Sequence, residues 1–209
     1  MKITKYEHAC FTVEIENNII VVDPGSYTTD FTPSENIVAV AITHEHQDHF
    51  DINQIKNILA HSPNATIYAH SSITSQIPDI HTETVQAGDT RTINEFSLDF
   101  TGGTHARIFS DVEPVANLGI IINDTLYYPG DSFALPPKPI TALALPISAP
   151  WLKFSEAAEF LNTVKPQTVF PTHDAILSKT GQNLLDNMAA ALAAKCGANY
   201  TRLQNELYL

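Results

Sequence analysis

The sequence predicts a layered α/β fold, with sheet in the middle of the molecule and helices outside it. Short apolar runs rich in β-branched residues alternate with longer segments of helical character, and turns or charged loops bound several of the runs. The candidate strands are residues 19–22, 37–42, 120–122 and 143–147. The candidate helices are residues 51–61, 155–164 and 181–195.

The ends of these elements carry further signals. Residues 2–23 alternate without a helical pattern and predict a meander of two or three strands. A helix is expected to begin near Ser155 as its N-cap, because Glu156 and Glu159 follow where the helix dipole favours acidic side chains. No linker rich in Gly and Ser, low-complexity tract or fixed repeat marks a boundary. We therefore expect one domain that spans residues 1–209.

The composition limits the classes of partner. Lys and Arg number 11 against 23 Asp and Glu, a net charge of -12 that argues against nonspecific nucleic-acid binding through cationic contacts. An anionic substrate stays open, because bound divalent cations would invert the field in a pocket. The first eight residues lack an apolar leader core, and no run approaches the roughly 18 apolar residues of a membrane helix. We expect a cytoplasmic protein with a small-molecule substrate, no nucleic-acid partner and no membrane insertion.

Four potential metal ligands follow the candidate strand at 37–42. They are His44, His46, Asp48 and His49. His44 and His46 are expected to point to one side, because side chains alternate along an extended chain. Imidazole and carboxylate suit zinc, iron or manganese. A lone HxH pair is more often part of a solvated polar loop, so the metal interpretation depends on further ligands elsewhere in the chain.

Three such residues occur later, each where a strand or turn gives way to a loop. His105 follows Gly102-Gly103-Thr104, Asp131 follows Pro129-Gly130, and His173 follows the strand-like run at 168–170. Open α/β sheets bind ligands beyond the ends of their strands, where several loops converge. These positions therefore predict a shared site with the 44–49 loop.

The ordered combination of these motifs resembles the metallo-β-lactamase superfamily. It consists of HxHxDH at 44–49, His105 after a glycine turn, Asp131 in a Pro-Gly-Asp-Ser turn, and His173. The opening at 6–11 and the stretch at 148–151 are similar to a small branch of that superfamily. This branch is related to the ascorbate-phosphate lactonases and to the phospholipase D that acts on N-acyl phosphatidylethanolamines. The resemblance implies a four-layer αββα sandwich with the site at one edge of its two sheets.

The resemblance also implies a dinuclear metal site. One metal would be bound by His44, His46 and His105, the second by Asp48, His49 and His173, with Asp131 bridging both. Two neighbouring cations can hold a bridging hydroxide at neutral pH, and they polarise the scissile oxygen. Asp48 and Asp131 are thus the catalytic candidates. Zinc is the expected metal, with manganese and iron as alternatives.

Four residues have weaker roles in this interpretation. Asp23 is predicted to orient a ligating histidine, the alternative being an ordinary turn aspartate before Pro-Gly. His8 either lines the substrate pocket or packs as an ordinary histidine. Trp151 either forms a wall of the cleft or packs against the helix after it. Arg107 either holds an anionic substrate group or lies on the surface.

The predicted function is metal-dependent hydrolysis of a lactone, ester, amide or phosphodiester in a small molecule. One alternative is a mono-iron or di-iron oxidoreductase on the same fold; in the di-iron branch Glu typically replaces the second histidine of the first motif, which here is His46. The others are an RNA-processing nuclease and a metal-binding protein without catalysis. The substrate and the oligomeric state stay open.

Overall fold

Two β-sheets form the centre of the computed structural model, which describes residues 1–202 and 206–209. The strands are β1 (Lys2–Lys5), β2 (Phe11–Ile15), β3 (Asn18–Val22), β4 (Ile37–Ala41), β5 (Thr66–Ala69), β6 (Thr82–Thr84), β7 (Thr90–Ile93), β8 (Phe96–Gly102), β9 (Leu118–Ile122), β10 (Leu126–Tyr128), β11 (Ala142–Pro146), β12 (Thr168–Thr172), β13 (Asn199–Tyr200) and β14 (Glu206–Tyr208). The helices are α1 (Ile52–His61), α2 (Ser71–Thr74), α3 (Phe154–Val164) and α4 (Lys179–Cys196).

Each sheet has an antiparallel half and a parallel half. The first sheet runs β14-β1-β2-β3-β4-β5-β6, and the predicted N-terminal meander is its antiparallel part, from β1 to β3. The second sheet runs β13-β12-β11-β10-β9-β8-β7 and is parallel from β10 to β13. The loops after the parallel strands β4 and β12, and after β8 and β10, carry the candidate ligands.

The main core lies between the two sheets, and strand alternation decides which side chains enter it. In β3, Ile20 and Val22 point into this inner layer, while Val21 between them joins the cluster on the outer face. In β9, Ile120 and Ile122 point inward in the same way. Strands with apolar side chains on both faces must be covered on both faces, which explains the uninterrupted apolar runs in the sequence.

Helices cover the two outer faces. Ile55 and Ile58 of α1 pack on the first sheet, and Phe160 and Leu161 of α3 pack on the second. The molecule is therefore an αββα sandwich, and the fold implied by the family resemblance is confirmed. Among the described residues, no helix has both the length and the apolar character needed to cross a membrane.

One helix start differs from the prediction. Helix α3 begins at Phe154 with Lys153 as its N-cap, so the expected serine N-cap at Ser155 is wrong. The Lys153 carbonyl already accepts bonds from Glu156 N (2.9 Å) and Ala157 N (3.3 Å), which places Ser155 inside the first turn. No side chain caps this end, and Glu156 keeps its place in the first turn.

Candidate metal centre

Four loops bring the candidate ligands together at one place. The 43–49 loop connects β4 to α1, while His105, Asp131 and His173 follow β8, β10 and β12 respectively. His44, His49, His105, Asp131 and His173 are buried, whereas His46 and Asp48 are partly exposed. A buried cluster of imidazoles and carboxylates that opens to solvent on one side can take up both a cation and a substrate.

The first group of ligand atoms consists of three imidazoles. One ring nitrogen from each of His44, His46 and His105 can be chosen so that all lie within 4.8 Å of one another. The His44 Nε2 and His46 Nδ1 atoms are 3.1 Å apart. Three imidazoles at this spacing match the protein ligands of a tetrahedral cation that keeps one position open.

The second group combines Asp48, His49 and His173 with one further residue, His8. Its ligand atoms also lie within 4.8 Å of one another. The Asp48 Oδ2 atom is 3.4 Å from His173 Nε2 and 3.8 Å from His49 Nε2. A carboxylate with two imidazoles can hold a second divalent cation.

The Asp131 carboxylate lies between the two groups. Its Oδ1 atom is 3.2 Å from His49 Nε2, and its Oδ2 atom is 3.4 Å from His105 Nε2 and 3.0 Å from His173 Nε2. Asp131 therefore reaches members of both groups, as a ligand shared by two cations would have to do.

The outer nitrogens of the histidine rings are occupied by the protein, which directs the inner ones toward the centre. His49 Nδ1 donates to Asp23 Oδ2 at 2.7 Å, and His173 Nδ1 donates to the Ser148 carbonyl at 2.6 Å. The Nε2 atoms of His49, His105 and His173 and the Oδ1 atom of Asp131 are buried without a hydrogen-bond partner. Unpaired buried polar atoms are costly, and a bound cation would satisfy these at once. The donor set therefore fits divalent metal ions.

The pKa shifts of the buried ligands indicate which of them are charged. Burial is the main reason that the pKa of His44 lies well below its ordinary value, which keeps this imidazole neutral and able to ligate. Burial raises the pKa of Asp131, but the imidazoles of His49 and His173 outweigh it and hold that pKa well below its usual range. Burial lowers the pKa values of His49 and His173, but Asp131 outweighs it, so the pKa of His49 lies well above its ordinary value and that of His173 is about 9. The ionised Asp131 therefore lies beside the neutral His44 ring and the protonated His49 and His173 rings, whose protons a bound cation would replace.

Comparison with known proteins identifies the family. A family model of the beta-lactamase superfamily domain matches residues 2–173. The chain belongs to the metallo-β-lactamase superfamily. A Mycobacterium tuberculosis protein is 30% identical over 189 residues, which cover 88% of this chain and 89% of the relative.

Solved structures of the same fold carry different activities. Igni18, a metallo hydrolase of Ignicoccus hospitalis, has a TM-score of 0.75 at 18% identity and is covered over 98% of its chain. CmlA, a di-iron β-hydroxylase of Streptomyces venezuelae, has a TM-score of 0.71 at 12% identity and is covered over 53% of its chain. Both comparisons cover 100% of the present chain. The fold alone therefore does not decide the reaction.

In this superfamily member, Asp23 accepts hydrogen bonds from the loop that carries the first motif. Its Oδ1 accepts from Thr43 N at 2.8 Å, and its Oδ2 accepts from the Thr43 hydroxyl at 2.7 Å as well as from His49. A Cβ on Gly25 would lie 2.0 Å from the Asp48 backbone, so glycine is required for this turn to approach the ligand loop. The Asp23 turn thus sets the position of the 43–49 loop.

His8 contacts the cluster more closely than the sequence indicated. Its Nδ1 accepts from Ala175 N at 3.3 Å, so the proton of the neutral ring lies on Nε2, which donates to Asp48 Oδ2 at 3.0 Å. Burial lowers the pKa of His8 to about 4 despite Asp48, and the ring is therefore neutral at pH 7. The alternation of the N-terminal strands contains no signal for this contact, which depends on loops from both sheets.

Trp151 lies beside the central Asp131 carboxylate, and Arg107 lies on the loop between β8 and β9. Trp151 is buried, and its Nε1 donates to Asp131 Oδ2 at 2.8 Å. Arg107 donates through Nη1 to the carbonyls of Ser110 (3.0 Å) and Val112 (3.1 Å) in its own loop. The Trp151 indole thus contacts the Asp131 carboxylate, and the Arg107 guanidinium binds carbonyls of its own loop.

Asn117 is a site residue that the sequence analysis missed. This buried side chain accepts from Asp131 N at 2.9 Å and donates to the Pro129 carbonyl at 2.9 Å. It therefore fixes the turn that presents Asp131. Asn117 directly precedes β9, whereas the turn that it contacts follows β10. No local sequence pattern connects two such positions.

Proposed function

We propose that this protein is a metal-dependent hydrolase that uses two divalent cations to cleave a lactone, ester, amide or phosphodiester in a small molecule. The observation that carries the proposal is the convergence of unpartnered ligand atoms on the Asp131 carboxylate from two sides. Membership of the superfamily supports it, and the ordered ligand motif of the sequence resembles the motif of that family.

In this proposal the cluster divides into two ligand sets that share one residue. His44, His46 and His105 hold one cation, Asp48, His49 and His173 hold the other, and Asp131 bridges. Asp23 orients His49 through their hydrogen bond of 2.7 Å. Zinc is the proposed metal because the ligands are imidazole and carboxylate, with manganese and iron as alternatives.

The bound cations would supply a hydroxide nucleophile at neutral pH and polarise the scissile oxygen. The protein's own part is to hold the ligands in place. Asp131 is oriented by two hydrogen bonds: the Trp151 indole donates to its carboxylate, and its backbone N–H donates to the Asn117 side chain. Asp48 is held by the neutral His8, and its carboxylate is partly exposed, so in addition to ligating a cation it can orient the attacking water.

Elemental analysis of metal-loaded protein tests the metal count. We expect two metals per chain in the wild type and about one in His173→Ala, which removes a ligand from one group only. The matched control is His61→Ala, because His61 is exposed at the end of α1. At most one metal in the wild type at full loading would contradict the dinuclear proposal.

A hydrolysis screen of the metal-loaded protein tests the activity. The panel contains lactones, carboxylic esters, amides and phosphodiesters, and we expect at least one class to be cleaved. Asp131→Ala is expected to abolish that cleavage. Asp99→Ala should keep it, because Asp99 lies on β8, where its carboxylate pairs with Lys138 and not with a ligand. Cleavage that survives Asp131→Ala would overturn the bridging role.

A further inference from the structure

A pocket of about 240 Å³ opens directly beside the first ligand group. His46 and His105 form one wall, and the 106–115 loop between β8 and β9 forms the others. Its side chains are mainly apolar, and they include Ile108, Phe109, Val112 and Val115. The pocket is therefore continuous with the candidate metal centre.

The apolar side chains of this loop are unusually exposed. Phe109 is 66% exposed and Val112 is 59% exposed, and Ile108 is 37% exposed. These are three of the nine exposed large hydrophobic residues in the described part of the chain, and they fall within five consecutive positions. Single exposed hydrophobic residues are ordinary, but a cluster around a concave surface indicates a binding site.

Backbone hydrogen bonds connect the 106–115 loop to the neighbouring ligands His105 and Asp131. His105 N donates to the Val115 carbonyl at 3.0 Å, and Ala106 N donates to the Asp131 carbonyl at 2.8 Å. The Arg107 guanidinium bonds the carbonyls of Ser110 and Val112 within the loop. The pocket therefore keeps its position relative to the metal ligands.

The lining of the pocket favours an apolar occupant. Apart from the ligand histidines, Glu113 is the titratable residue among the described residues that line it, and its side chain is 93% exposed to solvent. Arg107, the nearby cation, is engaged by the loop carbonyls and lies 3.7 Å from Glu113. A carboxylate or phosphate that enters this apolar lining would lose hydration without a cationic partner among the described lining residues, which is costly.

We propose that this pocket binds an uncharged apolar group of the substrate, such as a short acyl chain or a small ring, next to the bond that is cleaved. The inference rests on the proposed function and narrows its substrates to those that carry such a group beside the scissile bond. The volume of about 240 Å³ is below the range typical of drug-sized ligands, so the group is small. Phe109 and Val112 are the specificity-determining residues.

Calorimetric binding of hydroxamates to the zinc-loaded protein tests this proposal without catalysis. The series is acetohydroxamate, butyrohydroxamate and hexanohydroxamate, in which the metal-binding group is constant. We expect affinity to rise about fourfold for each added methylene, because each one becomes buried. Phe109→Ala and Val112→Ala should remove most of this gain and leave acetohydroxamate binding unchanged. Leu184→Ala is the matched control, because Leu184 is 58% exposed on α4.

The monohydroxamate of adipic acid, which ends in a carboxylate, should bind more weakly than hexanohydroxamate. Acetohydroxamate binding without any gain along the series would overturn the pocket alone. So would a gain that Phe109→Ala and Val112→Ala leave intact, or equal binding of the adipic acid derivative. Absence of acetohydroxamate binding would overturn both this proposal and the metal centre on which it rests.

Discussion

Trp151 illustrates at the residue scale how one side chain can orient the centre. Its indole nitrogen donates to Asp131 Oδ2 at 2.8 Å, and its ring lies 5.2 Å from the Phe133 ring. The indole therefore combines a packing role with a hydrogen bond to a buried carboxylate. Substitution can separate the two, because phenylalanine keeps an aromatic ring and lacks the donor.

We predict that Trp151→Phe weakens zinc binding by about 10- to 100-fold, because loss of a partner that orients a ligand has costs of that order. Competition with a chromophoric chelator measures the affinity. Phe133→Leu, which alters the packing on Trp151 but leaves its donor, should change the affinity much less. Equal losses in the two variants would show that packing, rather than the hydrogen bond, carries the effect.

At the element scale, Asp186 joins α4 to the edge of the second sheet. Its Oδ1 accepts from the Tyr200 hydroxyl at 2.6 Å and from Arg202 Nη2 at 2.8 Å, and Arg202 Nε donates to its Oδ2 at 2.5 Å. Partial burial raises the pKa of Asp186, but Arg202 and Tyr200 outweigh it and hold the pKa below its ordinary value. The ionised carboxylate therefore stabilises the folded state.

We predict that Asp186→Asn lowers the free energy of unfolding by about 1 to 2 kcal/mol at pH 7. Hydrogen bonds to charged groups contribute up to about 3 kcal/mol, and partial exposure reduces that value. Because the folded pKa is depressed, the stabilisation is present above the unfolded pKa of about 3.9 and is lost as pH falls through the folded pKa. The difference from wild type should therefore shrink under acid.

Urea unfolding at pH 7 and at pH 3 measures this effect. Glu159→Gln is the control, because Glu159 is an exposed carboxylate on α3 and should change the stability little at either pH. A loss in Asp186→Asn that is equally large at both pH values would show that ionisation of Asp186 is not its source.

At the scale of the whole molecule, the inner layer joins the two sheets through aromatic contacts. The ring of Phe11 in β2 lies 5.5 Å from that of Tyr128 and 5.7 Å from that of Phe170, both in the second sheet. Phe11 is fully buried. We propose on this basis that the chain behaves as one domain, because neither sheet can bury its inner face without the other.

We predict that the wild type unfolds in a single urea transition, and that Phe11→Ala destabilises it by about 3 to 5 kcal/mol. Far-UV circular dichroism and the fluorescence of Trp151, the one tryptophan of the chain, provide two independent probes. Phe109→Ala is the matched control and should stay within about 0.5 kcal/mol of the wild type, because Phe109 is exposed. Midpoints that differ between the two probes would contradict the single-domain proposal.

Much of the fold could be predicted from local sequence patterns. The strands at 19–22 and 37–42 and the helix at 51–61 lie within a residue or so of the observed elements, because periodicity and caps are local properties. The start of α3 was predicted wrongly, because Ser155 and Lys153 compete for the cap and the local pattern favours serine. Ligand spacing is also local in the 44–49 loop, where four candidates lie within six residues.

The sequence by itself determined the residue types of the centre and the order in which they occur. Only the tertiary structure decided which residues surround them. His8 meets Asp48 across 40 positions of chain, and Trp151 meets Asp131 across 20. Asn117 and the apolar 106–115 loop take their places in the same way, by the pairing of β8, β9 and β10. Such contacts depend on nonlocal strand pairing and sheet packing, which no local pattern encodes.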